Sequence, residues 1–236
     1  MKLQKKILRL GTIAFGLAIF VGVFGVGTSR AQVIKEVLDR MDGNYKTLSS
    51  FRANVTMVKF NDNLGIPDTT EGTTSYLPKS AKTKNLMYVR IDWTKPVNES
   101  IVVIGDKYQL YRPKLGQAIQ GTTSKAKNSG SAGGALAFIS MSKAQLQSNY
   151  NVQYIGQEAV SDGTQTWHIL MTPKAPTSYK SAELWVDANG MPRQAKITEQ
   201  NSDTTTVLLT GIEKNADIKA SVFAMDLPAG TKIVKG

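Results

Sequence analysis

Alternation with a period of two runs through most of the chain. In Leu86–Pro96, Met87, Val89, Ile91 and Trp93 alternate with Tyr88, Arg90 and Asp92, giving one apolar and one mixed face. Ile101–Pro113 follows a short Pro/Asn turn and reads as the adjacent strand. Phe51–Phe60 puts Phe51, Ala53, Val55 and Met57 on one face, opposite Arg52, Asn54 and Thr56. Further strands are predicted over Gly72–Leu77, Gly116–Ile119, Val152–Gln157, Thr166–Thr172, Ser181–Val186, Pro192–Gln200, Thr204–Glu213, Phe223–Leu227 and Lys232–Val234. Hairpin signals sit at Ser161-Asp162-Gly163 and Asp187–Gly190. Asn61–Thr70 reads as a polar loop. Pro78–Asn85 reads as a basic one, with Lys79, Lys82 and Lys84.

Two stretches change to the helical period. Val33–Lys46 carries the stripe Ile34, Val37, Leu38, Met41 and Tyr45, which Leu48 continues. Ala135–Ser148 carries Leu136, Phe138, Ile139, Met141 and Leu146, after a flexible Thr122–Gly134 connector without large apolar residues. Few helices and many evenly spaced strands predict a mainly β, α+β fold: a large antiparallel sheet bent into a barrel or half-barrel. Its apolar face requires a cover, and the two helices are the candidates.

The start of the chain has another character. Lys2, Lys5, Lys6 and Arg9 precede an uncharged apolar run, Leu10–Ser29, and Ser29-Arg30-Ala31 has the small residues of a cleavage site. This layout predicts a secretory signal peptide over residues 1–31, cut after Ala31, with residues 32–236 as one exported domain. A retained membrane anchor is the rival reading, since the run is long enough to span a bilayer. Cleavage takes the formal charge from +11 to +6. There is no cysteine, hence no disulfide, no thiolate chemistry and no lipid-modifiable Cys after the signal. In a cell with two membranes the expected location is the periplasm.

Catalytic patterns are missing. His168 is the single histidine, set mid-strand between Trp167 and Ile169, and the chain has no Gly-x-Ser-x-Gly elbow. One His and no Cys leave a zinc site without ligands. Gly130–Gly134 lacks the lysine of a phosphate-binding loop, and no carboxylate pair stands out. The lysine loops lack interleaved aromatics, which argues against nucleic acid. The expectation is a protein that is not an enzyme and uses no cofactor or metal. What remains is apolar capacity, including Trp93, Trp167, Trp185 and eight methionines, a residue type suited to adaptable apolar contact.

An ordered series of short motifs resembles the LolA-like outer-membrane lipoprotein carrier family. It comprises Leu48-Ser49-Ser50-Phe51-Arg52-Ala53, Glu71-Gly72, Trp93-Thr94-Lys95-Pro96, Glu99–Val103 with the turn Gly105-Asp106-Lys107, Leu110–Pro113 with Gln117, Thr172-Pro173-Lys174, and Val222–Gly230. The resemblance implies an unclosed β-barrel of about eleven strands around a helical lid, holding acyl chains between them. It further implies a monomeric periplasmic carrier of acylated lipoproteins, moving them between an inner-membrane ABC-type release complex and an outer-membrane acceptor. On that reading Leu38, Met41, Val55, Met57, Val89, Ile91, Trp93, Leu110, Leu136, Phe138, Ile139, Trp167 and Ile169 line the cavity. The family latches its lid with an arginine just before a proline. Here Leu77 precedes Pro78, and Lys79 and Arg90 are the substitute candidates. The alternative is a non-enzymatic lipid-binding or stress-sensing envelope protein on the same fold.

Overall fold

The computed structural model describes residues 29–123 and 141–236. The expected lid residues Leu136, Phe138 and Ile139 lie outside them, as do most of the N-terminal apolar run and most of the connector.

Helix α1 spans Arg30–Thr47. Ser29 caps it by accepting the Gln32 N–H, which relieves one of the unpaired donors of the first turn. The helix thus begins ahead of the predicted Val33, and the expected cut after Ala31 falls inside its first turn. Its apolar stripe buries Val37, Leu38 and Met41.

Among the described residues twelve strands follow, where the resemblance implies about eleven. They are β1 (Phe51–Phe60), β2 (Pro67–Leu77), β3 (Tyr88–Lys95), β4 (Glu99–Ile104), β5 (Lys107–Arg112), β6 (Gln117–Thr122), β7 (Tyr150–Ala159), β8 (Gln165–Pro173), β9 (Tyr179–Asp187), β10 (Pro192–Glu199), β11 (Thr204–Lys214) and β12 (Lys232–Lys235). Helix α2 (Lys143–Asn149) lies between β6 and β7 and begins with a capping box, Ser142 with Gln145. All strands form one sheet in the order β12-β6-β5-β4-β3-β2-β1-β11-β10-β9-β8-β7. Every pairing is antiparallel except that of β12 with β6. The edges β7 and β12 do not pair with each other, so the sheet is unclosed, as expected.

Three local expectations change. The stretch Ile101–Pro113 is two strands, because Gly105 adopts φ 64° and Ile104 pairs directly with Lys107 across a tight hairpin. Strand β2 starts at Pro67 inside the expected polar loop. There Thr69 and Thr70 pair with Val58 and Met57, and proline is tolerated as a first strand residue. Phe223–Leu227 is not a strand. It belongs to a segment with a 3-10 turn, Ala220–Phe223, that buries Phe223 in an apolar cluster with Val102 and Ile218.

Candidate functional site

The side chains that pair across the sheet divide into an inner and an outer face. On the inner face, Ile91, Ile101, Leu110 and Ile119 form one cross-strand row over β3–β6. Val89, Val103 and Tyr108 form the next. Further along the sheet the same face continues through Val55, Val207, Ala195, Leu184 and Ile169.

The two ends of this face are covered differently. Over β1 and β8–β11 the core is closed: Ile169, Met171, Leu184, Val207 and Leu209 are fully buried with Val37 and Leu38 of α1 and Leu146 of α2. Several contacts fix α1 there. The Arg40 guanidinium lies 4.5 Å from the centre of the Trp167 ring. Lys214 Nζ donates to Asn44 Oδ1 at 2.6 Å, and Asn44 is itself buried. Gly190, at φ 76°, brings the β9–β10 turn against the backbone of α1 so closely that a Cβ would collide with the Arg40 carbonyl. Lys143 at the start of α2 and Lys35 of α1 both donate to Asp39, whose carboxyl these hydrogen bonds lower to about 2. A pocket beside Met41, Tyr76 and Met141 has a volume of about 10 Å³, room for a single water.

Over β4–β6 the described residues cover the inner face less completely. Ile101, Val103, Tyr108, Leu110 and Ile119 are all half-buried. Of the expected cavity residues, only Val89, Leu110 and Trp167 are half-buried; Leu38, Met41, Val55, Met57, Ile91, Trp93 and Ile169 are packed in the closed core. Among the described residues these seven are packed against one another and against side chains of α1 and α2. Ile101, Val103, Tyr108 and Ile119 were not among the expected residues. Their alternation is visible in the sequence, but their common face follows only from the Gly105 hairpin. A separate open groove of about 390 Å³ lies between the start of α1 and β7, lined by Arg30, Ile34 and Val152–Ile155.

Among the described residues, no hydrogen bond or ion pair joins either latch candidate to α1 or α2. Arg90 is on the outer face, because it alternates with Ile91. Its Nη1 donates to the carbonyls of Val222 and Ala224 at 2.8 and 3.1 Å, clamping the C-terminal segment. Its Nε and Nη2 grip Asp92, which also accepts from Ser100. Burial opposes the charge of Asp92, but the bonds from Arg90 and Ser100 outweigh it and hold its carboxyl below the ordinary range. The guanidinium thus binds backbone carbonyls of the C-terminal segment on the outer face of the sheet. Lys79 is exposed at the start of the β2–β3 connection.

His168 is also on the outer face. Both ring nitrogens lie 2.8 Å from carboxylates, Nδ1 from Glu158 and Nε2 from Glu183, and the ring stacks on Trp185 at 4.1 Å. The hydrogen bond from His168 lowers the Glu183 carboxyl. Among the described residues, no three of His, Cys, Asp and Glu gather as metal ligands, and no helix is long and apolar enough to cross a membrane.

The family model for the outer membrane lipoprotein carrier protein LolA matches residues 87–226. The chain belongs to the LolA family. The matched region starts just before β3 and ends just after the segment that Arg90 clamps. No curated protein sequence matches the chain. Solved structures share the fold at low identity. An uncharacterized conserved protein from Thermus thermophilus is 12% identical, with TM-score 0.54, covering 87% of this chain and 100% of its own. MucB is 15% identical, with TM-score 0.53, over 85% of this chain and 64% of its own length. A DUF1329 family protein from Desulfovibrio piger is 15% identical, with TM-score 0.50, over 84% and 98%.

Proposed function

We propose that the protein is a soluble periplasmic carrier that binds the acyl chains of lipoproteins and moves them from the inner to the outer membrane. The supporting observation is the half-buried apolar inner face of β4–β6, continued by Val89 of β3, in a chain of the LolA family. An acyl chain laid along Val89, Val103, Leu110 and Ile119 exchanges one apolar environment for another. Each methylene contributes about 0.8 kcal/mol, so lifting a long chain from a bilayer costs on the order of 10 kcal/mol before the carrier returns it. Apolar surface offsets that cost without exceeding it. The donor is therefore an energised release complex in the inner membrane, and the acceptor an outer-membrane protein. The signal segment is removed, and the mature carrier acts as a monomer without cofactor or catalytic step.

The sealed region also has a place in this reading. Its residues Leu38, Met41 and Ile169 meet the acyl chain only if α1 swings away, and the contacts of Arg40, Asn44 and Gly190 oppose that movement. The open region is the first binding surface.

The test is to purify the protein from the exported fraction and analyse bound lipid by mass spectrometry. Acylated cargo is the expected result; a protein that is empty and rejects hydrophobic dyes contradicts the reading. Depletion in the cell is expected to mislocalise lipoproteins. An altered stress response without mislocalisation would favour a sensor on the same fold.

A further inference from the structure

The three most exposed large aliphatic side chains among the described residues are Leu64 and Ile66, each 73% exposed, and Leu115, 64% exposed. They share a location. Leu64 and Ile66 are in the β1–β2 connection and Leu115 is in the β5–β6 connection, which leave the same end of the sheet. Strands β3 and β4 stand between them, about 15 Å across the sheet, and the pairing of Phe60 with Pro67 carries the β1–β2 turn several residues further along the strands than the β5–β6 turn. The half-buried inner face of β4–β6 lies on the strands between and beside them.

Both loops are built turns. Leu64 N–H donates to Asn61 Oδ1 and Gly65 N–H to the Asn61 carbonyl, both at 3.0 Å. Asp203 of the neighbouring hairpin accepts from the Asp62 N–H and the Asn61 amide, which anchors the turn. Leu115 closes a 3-10 turn that begins at Pro113, and the Gly116 carbonyl accepts the Lys232 N–H at 2.8 Å. Such turns are ordinarily tipped with polar residues. Here the backbone holds aliphatic tips in water.

We infer that Leu64, Ile66 and Leu115 insert into the interfacial layer of a lipid bilayer and seat the open end of the sheet on the membrane. The inference rests on the carrier reading: cargo acyl chains begin and end in a bilayer, and these tips flank the surface that takes them. The two tips are on separate loops with the short β3–β4 connection, Pro96-Val97-Asn98, between them, and each can enter a fluid layer on its own. The charges beside them are mixed, with Asp62 and Asp68 near Ile66 and Lys114 next to Leu115. The binding is therefore apolar and does not depend on anionic lipid.

The experiment uses the mature protein and phosphatidylcholine vesicles in a flotation assay, comparing wild type with the triple variant Leu64→Ser, Ile66→Ser, Leu115→Ser. Wild type is expected to float with the vesicles at both low and high salt, and the variant to bind at least tenfold more weakly, since each lost tip removes on the order of a tenfold factor. The exposed tips leave the thermal midpoint unchanged. A soluble fluorescent fatty acid, titrated without vesicles, reports the inner face separately. Loss of vesicle binding with intact fatty-acid binding supports the inference. Vesicle binding that is tip-dependent in a protein that takes up no fatty acid also supports membrane insertion, while sinking the carrier reading. Equal flotation of both proteins overturns the inference. So does a wild type that stays off vesicles, including one whose tips instead capture a protein partner.

Discussion

The inner face of the sheet is one chemical surface with two fates. Around Ile169, Leu184 and Val207 it is sealed by α1 and α2, and a pocket beside Met41 and Tyr76 has room for a single water. Around Ile101, Leu110 and Ile119 the same kind of side chain is left half-buried. The residue types do not separate the two regions; the cover does. In the sealed region Arg40, Asn44 and Gly190 fix α1 to β8, β11 and the β9–β10 turn. The outer face repeats the contrast: β3 and β4 are covered by the segment around Phe223, which Arg90 holds by its carbonyls. Among the described residues, one region of the sheet is sealed and the other is half-buried.

If that division is right, truncation in the two regions has different consequences. The largest effect is expected for Ile169→Ala. A fully buried isoleucine is removed from a packed core, at a cost of about 3 kcal/mol in denaturant unfolding, with fatty-acid affinity of the folded protein unchanged. Next is Arg90→Ala, which frees the carbonyls of Val222 and Ala224. We expect about 1.5 kcal/mol of destabilisation and early proteolysis of the C-terminal segment, whereas Lys79→Ala does neither. Leu110→Ser belongs to the open region. Its stability is expected to change by less than about 1 kcal/mol, while fatty-acid affinity falls on the order of tenfold. Equal behaviour of Ile169→Ala and Leu110→Ser in both assays would erase the comparison.

The smallest effect concerns acid. Asp92 has a lowered carboxyl pKa in the folded protein, so its contribution to stability is present above its ordinary value of 3.8. That contribution is lost as pH falls below 3.8 and through the lowered folded value. Wild type is therefore expected to lose stability more steeply than Asp92→Asn in this window, as read by unfolding at a series of pH values.

The sequence makes much of this architecture legible. Alternation in Phe51–Phe60 and Leu86–Pro96, and the helical stripe of α1, follow directly from which faces are buried. The division of the inner face is not legible, because Leu110 and Ile169 have the same local pattern and differ only in what long-range packing brings against them. Arg90 illustrates the same limit. Its alternation with Ile91 puts it on the mixed face, but only the fold shows that the C-terminal segment crosses there. The family motifs suggested a latch on a helix, and local pattern had no means of redirecting it.

Photo-crosslinking with a diazirine fatty acid, followed by peptide mapping, tests the division most directly. The account predicts labels on β3–β6, at Val89, Ile101, Val103, Leu110 and Ile119. Labels confined to the closed core around Leu38 and Ile169, or to the groove between α1 and β7, would contradict it.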